Sequence, residues 1–379
     1  MKRGIRISLI LVIGVILAAA GLIGLWRTPG MIQYTFRPGE ETTAVLLENL
    51  DSMRESLGGS FPVITLHAQK SGESISYTDG ISQNDVCLYA VGPNWYEAYP
   101  MQMVSGRPVT AQDAEKGSKV IVLDRKTAFL FFGENDPIGK TVAVDGIKME
   151  VIGVAEHSRR IGETDPNAAW VPLGVANNCS LMVVSAPLEK TGSLVTVFET
   201  TAKEKFDKEG TKAGTLISIP KERIGQTMIL RIIVLIFAVF LLKKWMTVLA
   251  GFWRAAAERI RMKTKQWYPM RMIPYAALQM LLPILLSALT IGAGYLLATF
   301  AVSPAYVFPE WIPESLGDFS KWTTRFWNLT GEAAKTVQMQ TPELAEARFW
   351  GSLTKWGAIL ALVGTILTML KNAEKGKNP

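Results

Sequence analysis

Four long apolar segments determine what this chain can fold into, because each of them can cross a lipid bilayer as a helix. They are residues 7–26, 227–242, 272–302 and 350–370. A hydrocarbon core about 30 Å thick needs about 20 predominantly apolar residues in a helix. The second segment is the shortest, and its Arg231 lies near one end, from where the side chain can reach the lipid headgroups. The fourth segment is interrupted only by Lys355. We therefore predict four transmembrane helices.

Positive charge predicts the orientation of these helices, since short loops rich in lysine and arginine stay in the cytoplasm. Such residues precede the first segment, separate the second from the third and follow the fourth: Lys2, Arg3, Arg6, Lys243, Lys244, Arg254, Arg259, Arg261, Lys263, Lys265, Arg271, Lys371, Lys375 and Lys377. Residues 27–222 instead hold 19 basic and 25 acidic residues. We expect both termini in the cytoplasm and residues 27–222 outside it. The net charge of +7 then reflects membrane topology, and we expect no nucleic-acid partner.

The first apolar segment has a second interpretation, as a cleaved signal peptide. Ala18, Ala19 and Ala20 resemble a cleavage site. The apolar run continues to Trp26, however, which a signal peptide does not need. We favour an uncleaved membrane anchor.

The predicted fold class is a membrane α-helical protein with four transmembrane helices and an α+β extracytoplasmic domain inserted between helices 1 and 2. Its parts are 1–26 (cytoplasmic N-terminus and first span), 27–222 (extracytoplasmic domain), 223–242 (second span with an outward stalk), 243–271 (cytoplasmic loop), 272–302 (third span), 303–348 (outer loop), 349–371 (fourth span) and 372–379 (cytoplasmic tail). Within the extracytoplasmic domain, apolar periodicity predicts helices over 44–57 and 193–206. Two similar lobes, 27–100 and 174–222, flank an inserted segment at 101–173.

The inserted segment carries an ordered set of short motifs. They are Gly106-Arg107, a strand at 120–123, Phe131-Phe132-Gly133, Asp136-Pro137-Ile138-Gly139-Lys140, a strand at 151–154 and Val171-Pro172-Leu173. In this order and spacing the segment resembles the periplasmic core domain of MacB/FtsX-type ABC permeases. The resemblance covers about residues 27–220 and extends to the membrane part in topology only.

The resemblance implies that the two lobes form a porter-like subdomain and that the insert forms a second subdomain. It also implies a permease subunit moved by ATP, with ATP and magnesium bound by a dimer of separate ATP-binding subunits and no cofactor in this chain. A second copy of the permease, or a related permease in a heteromer, would complete the membrane part. An extracytoplasmic adaptor and membrane lipids are further expected partners. The expected location is the bacterial cell membrane.

The cytoplasmic loop holds the residues that we expect to contact an ATP-binding subunit. Residues 248–262 can form an amphipathic helix that presents Phe252, Trp253, Arg254, Arg259, Ile260 and Arg261. In the family, a short coupling helix at this place docks in a groove of the ATP-binding subunit. The usual Glu-Ile-Gly-x-x-Arg-Ala-x-Gly-like sequence is reduced here to Arg254-Ala255. Topology and contact with anionic lipids also explain the basic residues, so both interpretations stay open.

We predict no catalytic, cofactor or metal site in this chain. Residues 133–141 are close to a P-loop, but five residues rather than four separate Gly133 from Gly139. Strands are predicted after this segment, whereas a P-loop must open a helix. His67 and His157 have no partner at metal-ligand spacing. We therefore expect no enzyme activity, and any ATPase activity would belong to a partner.

Two features remain open between alternatives. Cys87 and Cys179 are predicted to lie near strands of one subdomain, where a disulfide and two buried thiols are both compatible with the sequence. In the outer loop, one helical face collects aromatic residues, which predicts a helix lying in the membrane interface: Phe319, Trp322 and Phe326, with Trp327 beside them. The alternative is a cap over a partner or over the extracytoplasmic domain.

The expected function is that of a MacB/FtsX-type permease that passes ATP-driven motion to its extracytoplasmic domain. The large ectodomain resembles the export branch of the family, so we expect efflux or extraction of an amphiphile or peptide. The alternative is a membrane-anchored scaffold or accessory subunit that assembles with a true permease and has no contact with an ATPase. A scaffold would tolerate charge reversal at Arg254, Arg259 and Arg261.

Overall fold

The computed structural model describes residues 2–39, 41–77, 80–163, 165–175, 179, 181–207, 214–264, 268–307, 320, 324 and 341–375. The chain divides into two compact units. One, the membrane unit, consists of Met1–Gly21, Ile224–Trp327 and Ser352–Pro379. The other, the sheet unit, consists of Leu22–Arg223 and Asn328–Gly351.

Long helices make up the described part of the membrane unit, and short helices and strands make up the sheet unit. The helices are α1 (Lys2–Arg27), α2 (Thr43–Leu57), α3 (Trp95–Ala98), α4 (Ala111–Lys116), α5 (Arg125–Phe132), α6 (Ser193–Phe206), α7 (Ile219–Gln226), α8 (Met228–Thr264), α9 (Pro269–Val307) and α10 (Pro342–Lys375). The strands are β1 (Met31–Phe36), β2 (Thr65–Ser76), β3 (Ser82–Val91), β4 (Met103–Gly106), β5 (Val120–Asp124), β6 (Thr141–Val144), β7 (Ile147–Ala155), β8 (Asn167–Pro172), β9 (Met182–Pro187) and β10 (Thr215–Ser218). The helices predicted over 44–57 and 193–206 are confirmed as α2 and α6.

The prediction of four membrane helices is confirmed. Long apolar stretches able to span a bilayer are present in α1, α8, α9 and α10, at Leu9–Arg27, Met228–Lys263, Ile273–Phe300 and Pro342–Leu370. The sheet unit follows α1 in the chain and precedes α8, as an inserted extracytoplasmic domain requires.

Two of these helices extend beyond the predicted spans. Helix α8 continues past residue 242 and runs unbroken to Thr264, so it includes the segment 248–262 that was expected to form a separate helix. This stretch has no proline, and its one glycine, Gly251, costs a long helix only about 1 kcal/mol. Helix α10 begins at Pro342, within the predicted outer loop. Proline is favoured at the first position of a helix, where its missing N–H would have no partner anyway.

Helices α1 and α10 pack closely through glycines in the membrane unit. A Cβ atom placed on Gly14 would lie 2.4 Å from the backbone nitrogen of Ala361, and one on Gly357 would lie 2.3 Å from that of Ala18. Only glycine lets two helix backbones approach this closely, which is a common way for membrane helices to gain packing contacts.

In the part of the sheet unit that the structure describes, ten strands form one mixed sheet. The strand order is β10-β1-β9-β2-β3-β8-β5-β7-β4, and β6 pairs with both β2 and β7. Strand β8 pairs in parallel with β3 and antiparallel with β5. The predicted boundaries at 100/101 and 173/174 therefore do not interrupt the sheet, which passes through both lobes and the insert.

The sheet buries both of its faces, and side chains along each strand alternate between two apolar clusters. In β3, Leu88 and Ala90 belong to the cluster that α2 and α6 cover, whereas Tyr89 and Val91 belong to the other. This alternation is the normal period of two in a strand. We call the second side, which holds Tyr89 and Val91, the cavity face.

Asp113 closes a capping box at the start of α4. Its carboxylate accepts hydrogen bonds from the Thr110 backbone N–H (3.0 Å) and from Arg107 Nη1 (2.6 Å), while Thr110 Oγ1 accepts from the Asp113 N–H (3.2 Å). Burial alone would raise the pKa of Asp113, but these partners outweigh it and lower the pKa to about 2, from an ordinary value of 3.8.

This shift predicts a loss of stability in acid that Asp113→Asn should abolish. Because the folded-state pKa lies below the ordinary value, the ionised carboxylate stabilises the fold above about pH 4, and the contribution disappears as the pH falls towards 2. Arg107 is half-exposed, so solvent screening reduces the gain, and we expect Asp113→Asn to cost about 1–2 kcal/mol at pH 7. Thermal unfolding of both proteins across pH 2–7 tests this. A difference as large at pH 2 as at pH 7 would contradict it.

Candidate functional site

A cavity of about 270 Å³ opens on the cavity face of the sheet unit. Its walls come from β2, β3, β8 and β9, from α3, from the segments that follow α3 and β7, and from the start of α10. We call it the aromatic cavity, and it is lined by His67, Gln69, Tyr89, Trp95, Tyr99, Pro100, Met101, Gln102, Glu156, His157, Ser158, Arg160, Glu163, Trp170, Val183, Thr341, Pro342 and Glu343.

Aromatic rings form much of the wall of this cavity. The rings of Tyr89 and Trp170 stack with centroids 6.0 Å apart, and those of Trp95 and Tyr99 stack at 4.9 Å. His67 meets Tyr99 edge-on at 5.3 Å. Offset stacks and edge-on contacts are the preferred arrangements of such rings, so the wall is fixed by packing. Burial lowers the pKa of His67 to about 4, so its imidazole is neutral at physiological pH.

Glu163 is a buried carboxylate held by three donors. Tyr89 OH donates to Oε1 over 3.0 Å, the Arg160 backbone N–H donates to Oε2 over 2.7 Å, and His157 Nε2 lies 3.2 Å from Oε2. Burial favours the neutral carboxyl group, but the hydrogen bonds from His157, Arg160 and Tyr89 outweigh it and hold the pKa of Glu163 below its ordinary value. The cavity therefore has a permanently ionised carboxylate in its wall at neutral pH.

A second buried carboxylate, Glu343, attaches the first turn of α10 to the sheet. Gln33 Nε2 on β1 donates to Glu343 Oε2 and to Tyr99 OH, each over 3.1 Å. Thr341 Oγ1 donates to Gln33 Oε1 over 2.7 Å, and Arg160 Nη1 donates to Glu343 Oε1 over 3.0 Å. Gln33 and Glu343 are fully buried, so each of these bonds replaces contact with water. The network fixes the start of α10 against β1.

Three helix ends meet in the apolar cluster beside the cavity. Leu25 of α1, Ile219 of α7 and Leu344 of α10 are all buried in it. No connecting residue separates β10 from α7, since β10 ends at Ser218. Arg348 Nε lies 3.4 Å from Glu222 Oε1 and so links α10 to α7. The ends of α1, α7 and α10 are therefore joined to one another and to the sheet within the sheet unit. Each of them continues, or leads through the chain, towards a membrane span.

The residues predicted to contact an ATP-binding subunit lie together on α8 but do not form one face. Members of the set seven positions apart fall on the same side of the helix, which gives three stripes: Phe252 with Arg259, Trp253 with Ile260, and Arg254 with Arg261. Within the membrane unit, Trp253 Nε1 donates to Ser287 Oγ of α9 over 3.1 Å. Arg259 Nη1 donates to Gln279 Oε1 of α9 over 3.2 Å. One residue in each of two stripes, Trp253 and Arg259, therefore forms a hydrogen bond with α9.

The alternative of a disulfide does not agree with the structure. Cys87 and Cys179 are both buried thiols, and they belong to the clusters on opposite sides of the sheet. Gln69 Nε2 lies 3.0 Å from Cys87 Sγ, and burial raises the pKa of the Cys87 thiol to about 11. The side chains predicted for the interfacial helix, Phe319, Trp322, Phe326 and Trp327, lie outside the described residues.

The near-P-loop segment leads into a strand. Lys140 is followed directly by β6, so the helix that a P-loop needs does not start here. Among the described residues, no group of three or more histidine, cysteine, aspartate and glutamate side chains could hold a metal ion.

The sequence interpretation missed the polar residues of the cavity face. Gln33, His67, Gln69 and Ser185 lie on strands β1, β2 and β9 and alternate with residues of the opposite apolar cluster. The sequence pattern that could have identified them is a polar residue at every second position of an otherwise apolar strand, such as Gln33 within Met31–Phe36. A buried polar residue in such a pattern needs a partner, and the partners of Gln33, Tyr99 and Glu343, are more than 60 positions away.

Comparison with known proteins places the chain in a family. The family model described as the MacB-like periplasmic core domain matches residues 8–202, just over half of the chain. The macrolide export ATP-binding/permease protein MacB of Hahella chejuensis is 31% identical over 112 residues, which are 27% of this chain and 17% of that protein. The probable syringafactin export ATP-binding/permease protein SyfD of Pseudomonas syringae pv. syringae is 30% identical over 89 residues, 23% of this chain and 14% of that protein. The chain thus aligns with less than a fifth of the length of these relatives.

Two solved structures are also similar. The extracellular domain of the noncanonic ABC-type transporter YknZ from Gram-positive bacteria covers 50% of this chain and 100% of its own, with 20% identity and a TM-score of 0.39. The periplasmic region of MacB from Actinobacillus actinomycetemcomitans covers 55% of this chain and 95% of its own, with 17% identity and a TM-score of 0.40. On the family match, the chain belongs to the MacB-like periplasmic core domain family, that of the MacB/FtsX-type ABC permeases.

Proposed function

We propose that this chain is a permease subunit that transmits ATP-driven motion from cytoplasmic ATP-binding subunits to its extracytoplasmic sheet unit, for export or extraction of an amphiphile or peptide. A dimer of ATP-binding subunits would supply ATP and magnesium, and a second permease, the same or related, would complete the membrane part. An extracytoplasmic adaptor and membrane lipids are further proposed partners. The charge pattern supports a bacterial cell-membrane location with both termini in the cytoplasm.

The observation that carries this proposal is the junction of helix ends in the sheet unit. Leu25, Ile219 and Leu344 are at most 2% exposed and share one apolar cluster, and Glu343 accepts a buried hydrogen bond from Gln33. Protein interiors are close-packed and resist deformation, so a displacement of one of these helix ends must move its neighbours and the strands beneath them. Such a junction suits a protein that passes motion along its helices.

The first measurement is purification of the tagged chain in mild detergent from its native host after cross-linking, with mass spectrometry of the bound proteins. We expect an ATP-binding subunit in near-stoichiometric amount. The triple variant Arg254→Glu, Arg259→Glu and Arg261→Glu should lower the amount of that subunit at least tenfold. Like charges placed opposite each other at an interface cost several kcal/mol, and about 1.4 kcal/mol corresponds to a factor of ten.

A matched control is Arg125→Glu, which reverses the charge of an exposed arginine in the sheet unit, 68% accessible. This variant should keep the ATP-binding subunit. Recovery of that subunit with the triple variant as well would reject α8 as its docking site. Recovery of envelope proteins alone with the unaltered chain would reject the proposal and indicate a membrane-anchored scaffold.

A further inference from the structure

Two adjacent lysines, Lys243 and Lys244, lie in the middle of the apolar part of α8. Residues 232–242 before them and 245–253 after them contain no charged side chain. Lys244 is nine residues from the end of this stretch, and Lys243 is eleven residues from its start. Nine residues of helix are about 14 Å long, which is more than a lysine side chain spans. Neither ammonium group can therefore reach the end of the stretch by extending along the helix.

Hydrogen bonds between α8 and α9 indicate how deep this stretch lies in the membrane. The apolar span of α9, Ile273–Phe300, has 28 residues, whereas a hydrocarbon core takes about 20. A core of that length includes residues 281–292 wherever it lies within the span. Two tryptophans of α8 donate to hydroxyl groups in this part: Trp253 Nε1 to Ser287 Oγ over 3.1 Å, and Trp245 Nε1 to Thr290 Oγ1 over 2.9 Å. The stretch that carries the two lysines is therefore at the depth of the hydrocarbon core.

Both lysines point away from the buried side of α8. Leu249 and Ala256, seven positions apart, are buried and mark that side. At 100° per residue, Lys243 and Lys244 lie about 120° and 140° around the helix from Leu249. Both side chains are exposed, and neither ammonium group forms an ion pair or a hydrogen bond with the residues that the structure describes. Charged groups within a membrane usually face the interior of a helix bundle and have a partner there.

This chain has no acidic residue that could be the partner. The apolar segments 7–26, 227–242, 272–302 and 350–370 and the continuation of α8 to residue 253 contain no aspartate or glutamate. Glu258 of α8 is fourteen positions from Lys244, about 21 Å along the helix. A second copy of the chain would bring further lysines to this depth, and like charges at an interface repel each other. Lipid headgroups lie at the membrane surface, away from this depth.

We propose that this face of α8 packs against a transmembrane helix of a different chain that carries an aspartate or glutamate at the same depth. The carboxylate pairs with the ammonium groups of Lys243 and Lys244, so that neither chain keeps an unpaired charge in hydrocarbon. The inference deepens the proposed function, on whose second permease it rests. It assigns that permease to a related chain with an acidic membrane helix, and not to a copy of this one.

A photo-reactive side chain identifies what covers this face. Thr247 is exposed and lies one turn from both lysines on the same side of α8, so p-benzoylphenylalanine is introduced there in the full chain. Membranes of the native host are irradiated, and the cross-linked products are identified by mass spectrometry. We expect a different chain, joined through a membrane segment that contains an aspartate or glutamate. Products with lipid alone, with a second copy of this chain, or with a segment that has no acidic residue would overturn the proposal.

Removal of the charges tests the ion pair itself. The double variant Lys243→Met and Lys244→Met keeps the length of both side chains and removes their charge, which does not endanger membrane insertion. The yield of the cross-link to the acidic chain should fall at least tenfold, because a carboxylate of that chain is left unpaired. The matched control, Lys355→Met in α10, should leave the yield unchanged, since Lys355 is five residues from the start of its apolar segment. An unchanged yield in the double variant would reject the ion pair.

Charge exchange completes the test. Lys243→Glu together with Lys244→Glu should abolish the cross-link, and replacement of the partner's acidic residue by lysine should then restore it. No restoration would reject a direct pair between these groups. The ATP-binding subunit is measured in the same membranes by cross-linking and purification of the unaltered chain. Its absence rejects the proposed function, whereas absence of the acidic chain rejects this inference, so the two failures are separate results.

Discussion

In the Gly106→Val variant, the sheet unit should unfold at a markedly lower temperature than it does in the unaltered chain. Gly106 ends β4 with a φ of 70°, a left-handed conformation that costs a β-branched residue about 1–2 kcal/mol. A Cβ atom there would lie 2.2 Å from the carbonyl oxygen of Ile152 and 2.8 Å from Cα of Gly153. Both are backbone atoms of β7, so relief requires the strands to separate, at a further cost of about 1–3 kcal/mol.

We expect Gly106→Val to cost about 3 kcal/mol or more, which lowers the unfolding midpoint of a unit of this size by roughly 6–12 °C. The matched control is Gly146→Val. Gly146 has a similar φ of 77° in the turn between β6 and β7, but no heavy atom lies within 4 Å of its Cβ position. The difference between the variants isolates the steric contact. Equal midpoints, measured by tryptophan fluorescence of the full chain at one heating rate, would show that this contact relaxes freely.

Phe198→Ala should lower the free energy of unfolding by a similar amount, for a different reason. Phe198 of α6 is fully buried in the cluster between the sheet and its helices, and its ring meets that of Phe61 edge-on with centroids 5.2 Å apart. Removing a buried phenylalanine side chain costs about 3–5 kcal/mol, because apolar contacts are lost and a void is left in a packed interior.

The control for this variant is Phe129→Ala on α5, where the phenylalanine is 66% exposed. It should change the free energy of unfolding by less than about 0.5 kcal/mol, as most surface substitutions do. Both variants remove the same atoms, so their difference measures burial alone. A small effect of Phe198→Ala would mean that α6 can collapse onto Phe61 and refill the space.

Features with a strong local signal could be predicted from the sequence. The apolar runs predicted the four membrane helices, and an apolar spacing predicted helix α2. The residues of that spacing are Leu46, Leu47, Leu50, Met53 and Leu57, of which all but the partly buried Leu47 are buried. The length of α8 could not be predicted in this way. Lys243 and Lys244 marked the predicted end of the second span, but charges do not break a helix, and α8 continues through them.

The start of α10 and the aromatic cavity depend on contacts between distant residues. Thr341, Pro342 and Glu343 do have the composition of a helix start, and Thr341 Oγ1 accepts from the Leu344 N–H over 3.4 Å. Hydropathy nevertheless places the boundary near Trp350, since the first two turns of α10 are only partly apolar. Sequence periodicity shows that Gln33 lies on a strand, but only the strand order brings it to Glu343, 310 positions away.

The position of the two cysteines has a practical consequence for studies of motion in this protein. Cys87 is 2% exposed and Cys179 is 8% exposed, and burial raises the pKa of both thiols. Thiol reagents need an accessible thiolate, so neither residue should compete with a cysteine introduced at the surface. Spin labels or fluorophores can therefore be attached to introduced surface cysteines without first replacing the two native cysteines in the core.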